Sequence, residues 1–114
     1  MEAQPREIQN YVKADNSSPF EDWYNSLRDN KAKNRIQLRL DRIQQGNLGD
    51  YRSVGEGVFE FRIDYGPGYR VYFGQIGSII VLLLCGRDKS TQDRDIRKAK
   101  EYWADYEKRE STDK

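Results

Sequence analysis

Residues 58–91, VFEFRIDYGPGYRVYFGQIGSIIVLLLCGRDKST, decide the fold, because they hold three strand-like runs separated by two glycine-containing turns. In the first run Phe59, Phe61, Ile63 and Tyr65 alternate with Val58, Glu60, Arg62 and Asp64. A period of two marks a strand with one buried and one wet face. Gly66-Pro67-Gly68 suits a tight reversal, since glycine tolerates positive φ and proline fixes its own. Tyr69, Val71 and Phe73 resume the alternation, with Arg70 and Tyr72 on the other, polar-leaning side. Ile79–Cys85 is apolar at every position, which predicts a central strand covered on both faces. The expected core is a three-stranded antiparallel meander, with Arg62 and Arg70 projecting from its polar side.

Upstream, Arg6–Lys13 predicts a short edge strand. Ser18-Pro19-Phe20-Glu21 reads as a helix start, with serine as N-cap, proline first in the helix and glutamate three residues after the cap. Phe20, Trp23, Tyr24 and Leu27 form its apolar stripe, and Asp29-Asn30 breaks it. A second helix is expected from about Lys31 to Gln45, with Ala32, Ile36, Leu40 and Ile43 inward and Gly46 as its stop. Asn47–Gly57, with three glycines, reads as a loop passing close to the sheet edge. Ser90 to Asp93 predicts a last capped helix that runs to about Glu107, with Ile96, Ala99, Trp103 and Tyr106 on one face. Residues 108–114 read as a polar, disordered tail. The order strand, two helices, three strands, helix gives an α+β fold, in which a helical hairpin and a C-terminal helix pack on an antiparallel meander.

The 114 residues suffice for a single domain, 1–114, and no more. Charged residues are 34% of the chain, apolar ones 36%. No signal peptide or membrane-length apolar run is evident, which predicts a cytoplasmic protein without a membrane partner. The one cysteine, Cys85, excludes an internal disulfide and reads as a small core residue. With no histidine, zinc sites and histidine-activated nucleophiles drop out, and neither a metal nor another cofactor is expected. The turn at 66–68 is no phosphate-binding loop, because it joins two strands rather than opening a helix.

The net charge is only +1, but residues 31–52 carry six basic side chains against two acidic ones, a local balance of +4. Lys31, Lys33, Arg35 and Arg39 in that segment are candidates for contact with a polyanion; a solvated helix face is the other reading. The remaining unusual feature is the convergence of Arg62, Arg70, Arg87 and Lys89 with Tyr69 and Tyr72. Guanidinium groups bind phosphate bidentately and tyrosines offer stacking faces, the mixture used for single-stranded RNA. The alternative is that these arginines simply pair with acids such as Glu60, Asp64 or Asp88.

The run GVFEFRIDYGPGYRVYF (57–73), followed by VLLLCGRDKSTQDRDIRKAKEYW (81–103), resembles the HigB-like branch of the RelE/ParE toxin superfamily, often called addiction-module killer proteins. The resemblance covers about Val54 to Tyr106. It implies a RelE-like fold and the toxin of a type II toxin–antitoxin module, neutralised by a cognate antitoxin, often a helix-turn-helix protein. The implied activity is that of a ribosome-dependent endoribonuclease, an mRNA interferase that inhibits translation by cutting message in the ribosomal A site. Carried over, the arginine of the GYR strand falls on Arg70, where relatives use it to stabilise the transition state; Arg62 matches a basic position on the preceding strand, and Arg87 and Lys89 fall in a basic segment after the last strand. The chain has no histidine to act as an acid, so Lys89, Tyr72 and Asp88 remain the candidates for proton exchange. One scaffold also hosts ParE-like toxins, which inhibit DNA gyrase by binding, and that is the alternative function.

Overall fold

The computed structural model describes residues 5–88 and 92–112. Its elements are β1 (Glu7–Asn10), α1 (Pro19–Ser26), α2 (Asn30–Gln44), β2 (Tyr51–Gly55), β3 (Val58–Ile63), β4 (Tyr69–Ile76), β5 (Ile80–Asp88) and α3 (Gln92–Thr112). The fold is α+β, with a five-stranded mixed sheet in the order β1-β5-β4-β3-β2. The meander β3-β4-β5 forms its centre, as the alternation predicts, and β1 adds in parallel to β5 at one edge.

Local chemistry sets the helix boundaries. The Ser18 hydroxyl accepts the Glu21 amide at 3.3 Å, and Pro19 opens α1 without needing a hydrogen-bond partner. α1 ends at Ser26, before the expected break at Asp29-Asn30, and the Asp29 carboxylate instead accepts the amides of Lys31 (2.9 Å) and Ala32 (3.3 Å) and caps α2. The buried residues of α2 are Ala32, Ile36, Leu40 and Ile43, the stripe read from the 3.6-residue period.

Two expectations about extent need correction. Part of the presumed 47–57 loop is β2, a fifth strand that pairs antiparallel with β3. A two-residue turn at Glu56-Gly57, both at positive φ (55° and 84°), joins the two strands. The presumed disordered tail is helical as far as Thr112, since α3 runs well past Glu107. There Arg109 donates to the Val12 carbonyl and pairs with Asp105 at 2.8 Å, so the helix end is tied to the chain just after β1. The expected cap at Ser90-Thr91 lies outside the described residues.

Both faces of the sheet are covered. On one face Phe61, Ile63, Tyr69, Val71, Phe73, Val81 and Leu83 pack against α1 and α2. On the other Val58, Tyr72, Leu82 and Leu84 pack against Ala99 and Trp103 of α3, with Tyr11 alongside. This second layer is why β4 is buried at Tyr69 through Gly74 instead of alternating. Glycines let both tryptophans lie flat on the sheet. A Cβ on Gly86 would sit 2.3 Å from the Trp23 ring, and one on Gly74 would sit 2.2 Å from that of Trp103. Among the described residues, no helix is long and apolar enough to cross a membrane.

Candidate functional site: an arginine row across three strands

Strand register brings the three sequence-predicted arginines together. Arg62 lies directly opposite Arg70 on β3 and β4, and Arg70 lies directly opposite Arg87 on β4 and β5. Directly opposed residues share a face, so the three form one row on the α3 side of the sheet. Like charges opposite one another repel, and the row persists because two buried acids stand beside it. Glu60, 1% exposed, is two residues from Arg62 on the same strand and therefore on the same face. Its carboxylate lies 2.9 Å from Arg52 Nε, 3.6 Å from Arg62 Nε and 3.6 Å from Arg70 Nε. Asp95, in the first turn of α3, lies 3.0 Å from Arg87 Nε. A helix N-terminus favours that negative charge. Four guanidiniums thus share two buried carboxylates, and the cluster keeps a positive excess.

Arg70 is the floor of this site. It is 7% exposed, whereas the side chains of Arg62 and Arg87 are more than half exposed at the two ends of the row. The expectation that Arg70 would stand on a wet, partly buried face is therefore corrected. The face carrying Glu60, Arg70 and Tyr72 is roofed in part by α3. Among the described residues, Arg70 Nε and Nη1 make no hydrogen bond although they are buried. Buried guanidinium donors left unmade are costly, and a phosphate oxygen would satisfy them. A hollow of about 340 Å³ is lined by Arg62, Asp64, Arg70 and the turn at 66–68. A second of about 340 Å³ adjoins Arg87, bordered by Trp23, Asp95, Lys98 and Tyr102.

The other predicted site residues divide. Tyr69 and Tyr72 are 7% and 0% exposed, so neither ring offers a stacking face to a base. Tyr69 packs against Trp23 on the α1 side, with ring centroids 6.2 Å apart. Burial, reinforced by Glu60, pushes the Tyr72 phenol far above its ordinary range, which leaves it protonated and unsuited to proton exchange. Asp88 lies opposite Tyr69 in the register and so faces away from the row. Burial, with Asp95 second, pushes the Cys85 thiol up to about 12, which fits the reading of Cys85 as a core residue. Lys89 lies outside the described residues.

The candidates on α2 are not equivalent. Arg39 is structural: it donates to the carbonyls of Arg62, Leu48 and Asp50 and so fastens the 46–50 loop to the sheet. Arg35 and Arg39 line a smaller hollow of about 240 Å³ with Arg62 and Asp64, while α2 itself packs on the face opposite the row. Lys33 lies over the Tyr24 ring at 5.5 Å, and Lys31 is exposed. Sequence reasoning missed Arg52, and it weighed Glu60 only as a neutralising neighbour. Arg52 becomes legible only once β2 is recognised, because the register then sets it opposite Glu60.

No family model matches the chain. A protein of Haemophilus influenzae, described as an uncharacterized protein, is 52% identical to it over 81 residues, which cover 71% of this chain and 82% of that protein. At that identity and coverage, the chain belongs to the same family as this Haemophilus influenzae protein.

Proposed function

We propose that the protein is the toxin of a type II toxin–antitoxin module, HigB-like within the RelE/ParE superfamily, and that it acts as a ribosome-dependent mRNA endoribonuclease. The observation that carries this reading is the arginine row, with a dry central guanidinium between two exposed ones and two of its buried donors unspent.

In this chemistry a ribose 2′-hydroxyl gives up its proton to a base and attacks the adjacent phosphorus, negative charge grows on the non-bridging oxygens, and the P–O5′ bond breaks as the leaving 5′-oxygen takes a proton from an acid. Arg70 meets that growing charge from a preorganised, water-poor position, where one such interaction is worth about 2.7–4 kcal/mol. Arg62 and Arg87, at the solvent-facing ends, hold flanking phosphates of the message. The ribosome supplies the orientation of the attacking hydroxyl, which is itself a large share of catalysis. The positive excess around the row and at residues 31–52 also suits an acidic segment of a cognate antitoxin, in keeping with electrostatic steering between partners.

The test is induction of the protein in growing cells, with mapping of message 5′ ends and a gyrase supercoiling assay on the purified protein. New ends within translated codons, absent when Arg70→Ala is induced, are the expected result. Inhibited supercoiling with intact message would overturn the nuclease reading in favour of a gyrase-binding toxin.

A further inference from the structure

We infer that Glu60, clamped from the sheet edge by Arg52, is the positioning residue that aims Arg70 at the substrate phosphate. The inference rests on the nuclease reading for its catalytic part, and its structural part stands independently.

Among its arginine contacts, this carboxylate has one tight and two loose, and the Tyr72 hydroxyl lies beside it as well. Arg52 Nε donates to Glu60 Oε1 at 2.9 Å, a charge-assisted hydrogen bond. Arg62 shares that oxygen at 3.6 Å, and Arg70 Nε faces Oε2 at 3.6 Å, both within ion-pair range but beyond a good hydrogen bond. The arrangement compensates the buried Arg70 charge without consuming its donors. A tighter Glu60–Arg70 bond would leave less of the guanidinium for phosphate, and no carboxylate would leave a buried cation facing Arg62 and Arg87 across the strands. Glu60 cannot drift toward Arg70, because the bond from Arg52 holds it on the β2 side. It does not reach the reacting atoms: it is 1% exposed and lies beside the row on the same face of the sheet. It acts through Arg70.

The same geometry makes a prediction that a merely structural acid would not. Arg52 is on an edge strand with about half its side chain exposed, well away from the centre of the row. Its removal should nevertheless slow catalysis by freeing Glu60 to tighten on Arg70.

The experiment compares wild type, Glu60→Gln and Arg52→Ala in single-turnover cleavage of message on programmed ribosomes. It also follows the Arg70 Nε–H signal by ¹⁵N NMR in the protein alone. Glu60→Gln should lower kcat by about tenfold to a hundredfold with KM within about twofold, since the interaction lost belongs to the transition state. Its Arg70 Nε–H signal should shift and broaden. Arg52→Ala should lose about threefold to tenfold in kcat, keep its melting temperature, and move the Arg70 signal. An Arg70 signal unchanged in both variants would overturn the positioning role, whatever the protein cleaves. Unchanged kcat in Arg52→Ala, or a loss in Glu60→Gln no larger than its loss of folded protein, would also overturn it. If wild type fails to cut message, the nuclease reading falls, and the NMR comparison alone decides whether Glu60 orients Arg70.

Discussion

Arg70 contributes to stability and, in the proposed function, to the chemistry of the site, and these separate in different substitutions. As a buried cation paired with Glu60, it is not a free surface residue, and Arg70→Ala should cost about 1–3 kcal/mol of stability, read from a thermal melt. Glu60 would still be held by Arg52 and Arg62, which keeps the loss below that of a fully orphaned buried charge. Glu60 itself makes stability depend on pH. Burial alone would raise its pKa, but the Arg52 hydrogen bond, the neighbouring Tyr72 hydroxyl and the charges of Arg52 and Arg70 together hold it below its ordinary value of 4.5. A carboxylate with a lowered folded pKa stabilises the fold above that ordinary value, and the contribution is lost as pH falls through the folded value. The melting-temperature gap between wild type and Glu60→Gln should therefore be constant from pH 7 down to about 4.5 and close below it. A gap independent of pH would mean that folding leaves the pKa of Glu60 where it is in the unfolded chain. The alternation in 69–73 revealed that Arg70 faces away from Tyr69, Val71 and Phe73. It carried no information that α3 roofs the far side, because a polar strand face looks the same in sequence whether water or a buried ion pair lies above it.

At the scale of elements, the helices were legible and the edges of the sheet were not. Capping residues and a 3.6-residue stripe are local signals, and they located the start of α1 and both ends of α2 to within about a residue. The strand β2 has the sequence YRSVG, exposed at four of five positions, and its pairing with β3 leaves no hydrophobic signature to find. The extra length of α3 is likewise tertiary, fixed by Arg109 and Asp105 against Tyr11 and Val12. The tryptophan platforms give this scale its test. Trp103 is 8% exposed over Gly74, and Trp103→Ala should cost about 3–5 kcal/mol. Gly86→Ala should cost about 1–3 kcal/mol by lifting Trp23 off β5. In a double variant with Trp23→Ala most of that second penalty should vanish, because the clash is with the indole itself. Denaturant melts of the three variants check it, and additive penalties would mean that the glycine acts through the backbone alone.

The whole molecule is a sheet covered on both faces, with one strip left open where the arginine row meets solvent. α1 and α2 cover one face, and α3 covers the other only in part, so Arg62 and Arg87 remain exposed while Arg70 is sheltered between them. Among the described residues, a near-neutral chain thus gathers positive charge along the arginine row, which its net charge of +1 conceals. End-group analysis of message cut by the purified protein on programmed ribosomes distinguishes the possible reactions. Attack by a ribose 2′-hydroxyl must leave a 2′,3′-cyclic phosphate on one fragment and a 5′-hydroxyl on the other. Those ends are expected, with the rate reduced about a hundredfold to a thousandfold in Arg70→Ala. Intact message, fragments bearing 3′-hydroxyl and 5′-phosphate ends, or undiminished cleavage by Arg70→Ala would contradict that expectation.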